Sequence, residues 1–237
     1  MFAALKEDNA IEVAKDSVGG SYVLDSDIYG SKITMAYAGE SKGGALSVTL
    51  HLGTTEGKEH RETIYVSSGK AKGQKNYYEK DGAKHYLPGY SLIQALCKLT
   101  LNKDISELVT EEKIIKLYDH EQKKEVPTPV QAIPELFDQE IYAAIIKEIH
   151  DKTVKQGDEY VPTGETRNVN VIDKFFGAVD KKTYAEAINS EVTEAEFFNI
   201  WLEKNQGNTR DKSTKTSGTA GAPQVVAKPA TTQSLFS

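Results

Sequence analysis

Residues 69–90, GKAKGQKNYYEKDGAKHYLPGY, set five lysines among four tyrosines. Lys70, Lys72, Lys75, Lys80 and Lys84 stand against only Glu79 and Asp81, and the rings are Tyr77, Tyr78, Tyr86 and Tyr90. Ammonium groups can track phosphates, and phenol rings stack on unpaired bases; together they serve sequence-tolerant single-strand binding. The plain alternative is a solvated lysine-rich hairpin, since charge runs are commonly just wet faces. The segment stands out because the chain of 237 residues is acidic overall, with 29 Lys+Arg against 35 Asp+Glu. A net charge of −6 argues against bulk attraction to nucleic acid, yet binding responds to the potential along a groove, so a local positive track remains open. Arg61, Lys70, Lys72, Lys75 and Lys84 are the candidate phosphate contacts, with Arg167 near the Gly164 turn as a second-site candidate. Tyr77, Tyr78 and Tyr86 are the candidate stacking rings. Neighbours in an alternating strand face opposite ways, so one of Tyr77 and Tyr78 is expected to pack inward.

Other chemistries lack their signatures. GKAKGQK fails the spacing and ending of a phosphate-cradling G-x-x-x-x-G-K-[ST] loop. The five histidines, His51, His60, His85, His120 and His150, fall at no metal-ligand spacing. No G-x-S-x-G elbow occurs, and no pair of carboxylates stands out as a catalytic couple. We expect no catalytic residue, no metal and no cofactor. A nuclease stays a third option, because catalytic groups can converge in space alone. The single cysteine, Cys97, sits in the apolar run SLIQALCKLTL and reads as a buried thiol in a reducing compartment. The opening MFAALKEDNAIEVAKD lacks the form of a signal peptide. No apolar run approaches the ~20 residues of a bilayer span, so no membrane partner is expected.

The elements that must position these residues read as mainly β with α additions. Residues 1–20 form an arm ending in Gly19-Gly20, residues 21–178 the main domain, 179–204 a helical extension and 205–237 a flexible tail. Strands are expected at 32–38, 45–52 and 59–66. Leu46, Val48, Leu50 and Leu52 share one face, and the loop 53–57 turns into the next strand. Asp81-Gly82 favours a tight hairpin turn between Tyr77-Tyr78 and His85-Tyr86. Leu92, Ile93, Leu96 and Leu99 give a helical stripe after Pro88-Gly89, and 104–108 suits a short helical turn. Ile114–Tyr118 and Glu125–Val126 read as strands, with Pro127 and Pro129 marking a sheet edge. Residues 140–150 fit both periods; a strand is favoured, pairing with Tyr160-Val161 across KQGDE. Residues 163–176 read as a loop with a last strand or turn. Two short helices follow at 182–189 and 194–204, the second bearing Phe197, Phe198, Trp201 and Leu202. From about Gln206 small and polar residues take over, ending in the apolar tip Leu235-Phe236. Phe197, Trp201, Leu235 and Phe236 are the candidate partner-binding residues. Between Thr183 and Glu203 lie five acids and no Lys or Arg, so that stretch faces solvent, a protein or the basic patch.

Several strings, taken as an ordered set, resemble the phage single-stranded DNA-binding proteins. They are FAALKEDNAIEVAKDSVGGSYVLDSDIY, RETIYVSSGKAKGQKNYY, YLPGYSLIQALCKLT, KLYDHEQKKEVPT, YVPTGETRNVNVIDKFF and WLEKNQGNTRDK. They span roughly residues 1–212. The resemblance implies an OB-like antiparallel barrel with a helical carboxyl-terminal extension. It implies coating of exposed strands during phage DNA replication or recombination, in the cytoplasm of the infected bacterial host. Phage replication proteins are then expected as tail partners, and a homodimer through a sheet edge or the extension is open. Many such tails are strongly acidic; here Arg210, Lys212, Lys215 and Lys228 stand against Asp211 alone. The alternative from another class is a protein-interaction module acting through the aromatic helix and the apolar tip.

Overall fold

The computed structural model describes residues 23–119, 122–157 and 159–214. The arm 1–20 and the tip Leu235-Phe236 lie outside them. The chain is mostly β, with an antiparallel sheet and few helices. Strand β1 (Asp27–Glu40) pairs with β2 (Leu46–Thr54), which pairs with β3 (Glu59–Tyr65). The other edge of β1 is shared. Asp27–Lys32 pair with β8 (Glu140–Gln156), and Tyr37–Ala38 pair with β7 (Lys124–Ala132). β8 continues into β9 (Glu159–Gly177), its antiparallel partner.

The alternation in β2 does what its period predicts: Val48, Leu50 and Leu52 are buried, while Leu46 at the strand's start is exposed. Helix α1 (Pro88–Leu101) starts on a proline and ends at Asn102 in the left-handed conformation. It buries Ile93, Leu96 and Cys97 against β-strand residues Leu50, Ile64, Ile145 and Phe175 in the main core. Burial pushes the Cys97 thiol up to about 12, so it stays protonated and unreactive.

The ambiguous segment 140–150 is a strand, and its ambiguity has a cause. Ile141, Ala143 and Ile145 face the main core. Ala144 and Ile146 face a second cluster with Phe176, Phe198 and Trp201. A strand buried on both faces loses its period and reads as an apolar run. The second cluster is closed by α3 (Glu196–Asn205), which follows the single turn α2 (Tyr184–Ala187). The helical extension therefore packs on the sheet; 182–189 shrinks to one turn.

Three further expectations change. Residues 163–176 are strand throughout, as part of β9, and 141–151 pair with 166–177, leaving Tyr160 and Val161 to Lys155 and Val154. Residues 114–118 and 125–126 extend to β6 (Glu111–Asp119) and β7, with Pro127 and Pro129 where β7 pairs only with β6. Within the span read as tail, 205–237, Thr209–Asp211 is β10, parallel to β8 at Lys147–Ile149.

Polar contacts rather than apolar ones hold β10. Glu148 is fully buried, and its carboxylate accepts from His150 Nε2 at 2.7 Å, Arg210 Nη1 at 3.1 Å and Lys212 Nζ at 2.9 Å. Arg210 also reaches Asp173 at 3.3 Å. Burial alone would raise the Glu148 pKa; the hydrogen bonds from His150 and Lys212 and the Arg210 charge outweigh it and hold it below the usual range.

Candidate nucleic-acid interface

The basic segment folds as a two-stranded hairpin outside the main sheet. β4 (Tyr77–Lys80) pairs with β5 (Ala83–Tyr86), with Tyr77 opposite Tyr86 and Tyr78 opposite His85. Asp81 and Gly82 both have positive φ, 52° and 77°, the pattern of a type I′ turn. A lone two-stranded hairpin is marginal in water, and its rings and cations supply what a core would. Lys84 Nζ lies 4.8 Å and Lys75 Nζ 5.4 Å from the Tyr77 ring centroid, within cation–π range. Tyr78 stacks on His85 at 5.5 Å and 29°. Tyr86, 62% exposed, rests against Tyr90 at 5.0 Å. Tyr77 and Tyr78 do point to opposite faces, yet neither enters a core cluster; Tyr77 is half-buried and Tyr78 exposed. Asn76, Tyr77, Lys84 and Tyr86 line one cleft of about 410 Å³.

The hairpin's root is fixed by the loop between β1 and β2. Lys70 N–H donates to Gly43 O at 2.8 Å, and Gln74 Nε2 donates to Gly44 O at 2.7 Å. A Cβ on Gly69 would stand 2.6 Å from Gly43 O, so only glycine allows this approach. Lys70 belongs to that root and not to the cleft: its Nζ pairs with Glu40 Oε1 at 2.6 Å, which offsets its charge. Lys72 is exposed on the single 3₁₀ turn Lys70–Lys72.

Arg61 and Arg167 meet elsewhere. Across an open seam β3 and β9 run the same way. Glu59, His60 and Arg61 line a groove of about 660 Å³ with Arg167, Asn168, Val169, Asn170 and Val23. Further along, Ile172 N–H donates to Glu62 Oε2 at 2.6 Å. No ladder joins the two strands among the described residues, so no closed barrel forms by backbone pairing. β3 thus connects two candidate sites, with the groove at its start and the hairpin beyond Tyr65 at its end.

The outer face of β1–β3 gathers further groups around Arg61. Arg61 Nη2 donates to Tyr37 Oη at 2.8 Å, and Tyr37 sits 5.9 Å from the His51 ring. Thr49 and Thr63 share a hydroxyl hydrogen bond at 2.8 Å, and Tyr65 is exposed. His51 Nε2 is the one buried side-chain polar atom without a partner among the described residues. Burial, then the Arg61 charge, lowers the His51 pKa below 6.5. The signal was present in the sequence: Thr49 and His51 alternate with the apolar residues of β2, and Arg61, Thr63 and Tyr65 with Ile64 in β3.

The expected partner-binding residues separate. Trp201 is buried and its indole N–H donates to Asp173 Oδ2 at 2.9 Å. It is a core residue, because Ala144, Ile146 and Phe176 give its ring an apolar seat. Phe197 is partly exposed, with Lys174 Nζ 5.6 Å from its ring centroid. Among the described residues no group of three or more His, Cys, Asp or Glu is arranged to hold a metal, and no helix is long and apolar enough to cross a membrane. Comparison with family models, curated proteins and solved structures gave no match.

Proposed function

We propose that this chain is a non-enzymatic, sequence-tolerant binder of single-stranded DNA, with the β4–β5 hairpin as its principal grip. The observation that carries the reading is the cleft of Asn76, Tyr77, Lys84 and Tyr86. It offers ring faces beside ammonium groups that pair with no carboxylate among the described residues. Such a surface takes a flat, unpaired base and its phosphate together. Lys75 and Lys84 contribute the local positive potential; Tyr86 and Tyr77 contribute the stacking faces. Arg61 and Arg167 take phosphates at the far end of β3. In the same reading the sheet is an OB-like barrel left open between β3 and β9. The strand order β3-β2-β1-β8-β9, the parallel run across the seam and the position of α1 between β3 and β8 support it. The likeness to phage single-strand binders belongs to this proposal and points to replication or recombination as the setting.

A titration of oligo(dT) against duplex DNA at two salt concentrations tests the reading. The single strand is expected to bind more tightly. Its log K should fall with log[salt] by about 0.7 per phosphate contact. Equal binding of duplex, or no binding of oligo(dT) in dilute buffer, overturns it. A second reading, a protein-interaction module, is favoured by one observation: Phe197 and Ile200 are exposed side by side on α3 within the acidic stretch. Retention of a protein but not of oligo(dT) would replace the first reading by the second.

A further inference from the structure

The β8–β9 hairpin runs well past the sheet. β1 pairs with β8 only as far as Ile145 and β10 only as far as Ile149, while the β8–β9 ladder continues to Gln156 and Glu159. The outer part is a two-stranded ribbon exposed on both faces. Near its end Tyr160 stands directly opposite Lys155. Tyr160 is 69% exposed, the barest tyrosine among the described residues. Neither side chain has a hydrogen bond, ion pair or ring contact among the described residues. By contrast Lys152, further in, pairs with Glu165 at 2.8 Å.

The ladder carries this pair outward from the groove, with one register shift between Asp151 and Thr153. Asn170 pairs with Lys147, Asn168 with Ile149, Thr166 with Asp151, Pro162 with Thr153 and Tyr160 with Lys155. Opposed residues share a face, and every second residue of β8 repeats it. Arg167, Asn168, Val169 and Asn170 of β9 line the groove with Arg61, so the ribbon that bears Tyr160 and Lys155 begins where the groove ends. Val154 and Val161 form the pair on the opposite face. β3 spans seven residues, about 23 Å at strand rise. The hairpin stands past one of its ends and the ribbon past the other.

We propose that the ribbon is a second single-strand contact, with Tyr160 as a stacking ring and Lys155 as a phosphate contact. A strand held by the β4–β5 cleft then passes Arg61 and Arg167 before it meets the ribbon. A bare ring opposite an ammonium group without a carboxylate partner among the described residues fits an unpaired nucleotide better than a protein partner, whose pocket would select the Val154–Val161 pair. This inference rests on the single-strand reading above.

The test is binding of oligo(dT) of about 16 nucleotides, the upper end of what one such domain occupies, by the full chain and its variants. Tyr160→Ala is expected to lose about fivefold or more in affinity, the lower bound for one stacked base. Tyr160→Phe, which keeps the ring, should bind like the parent. Lys155→Ala should flatten the salt slope by about 0.7. Both residues are exposed, so unchanged thermal unfolding accompanies each loss. If Tyr160→Ala and Lys155→Ala bind like the parent while Tyr86→Ala is weakened, the ribbon contact is wrong and the hairpin reading stands. If the parent itself retains no oligo(dT), both fall together.

Discussion

The β4–β5 hairpin and the α3 face of the sheet are built from the same ingredients, aromatic rings and charged side chains, and use them in opposite ways. In the hairpin Tyr78 and Tyr86 are exposed and the cations lie over the half-buried ring of Tyr77. Under α3 the rings of Trp201 and Phe198 are buried, and charges are spent on one another around Glu148. The difference comes from what lies behind each element. The hairpin has its own two strands and, behind Tyr86, the Tyr90 ring of α1, so no apolar layer covers its rings. α3 lies on β8 and β9, whose Ala144, Ile146 and Phe176 complete an apolar shell. Ring and charge content alone therefore does not distinguish an exposed hairpin from a docked helix.

The comparison can be broken at its strongest point by truncating one ring in each region. Trp201→Ala should cost about 3–5 kcal/mol of stability in urea unfolding, by cavity formation. Tyr86→Ala should change stability by no more than about 0.5 kcal/mol. Equal losses would show that the hairpin ring is also structural. Next in size is Glu148→Gln, which leaves Arg210 and Lys212 facing a neutral group. We expect about 2–3 kcal/mol, below the cost of breaking a fully buried pair because both cations are half exposed. Proteolysis that still spares the chain beyond residue 205 would contradict this. On the hairpin side, Tyr86→Ala should weaken oligo(dT) binding by about 1–3 kcal/mol. Unchanged affinity would remove it from the stacking set.

The smallest effect is electrostatic. The folded pKa of His51 is lowered below 6.5, so the unfolded chain binds its proton more readily. Its contribution to stability is full above the ordinary value and is lost as pH falls through the folded one. Urea midpoints should drop between about pH 7 and pH 5, the range in which histidines titrate. The drop should be smaller in His51→Gln. Identical slopes would mean that burial and Arg61 do not act on this ring.

Much of the scaffold was legible in the chain because burial on one face imposes a period. Val48, Leu50 and Leu52 mark β2, Ile93 and Leu96 mark α1, and Asp81-Gly82 marks the hairpin turn. β9 was not legible over TGETRNVN because neither face of the ribbon covers a core, so nothing alternates. β10 escaped because Glu148 holds it through Arg210 and Lys212, and ionic contacts leave no apolar stripe. The candidate site was legible as a segment and not as a set. Lys70 looked like its neighbours, but Glu40, thirty residues earlier in the chain, claims its charge. Arg61 and Arg167 come together across a seam that no local pattern announces, and Tyr37, His51 and Arg61 meet from three strands.

The contact of Gly69 with Gly43 has a consequence for evolution and engineering alike. It makes the short loop 41–45 a rudder for the rings more than thirty residues downstream. Lengthening that loop, or giving Gly69 a side chain, would swing the tyrosines away from β3 without touching one of them. The aim of the hairpin can thus be changed by editing the five residues of that loop alone, Ser41 to Ala45.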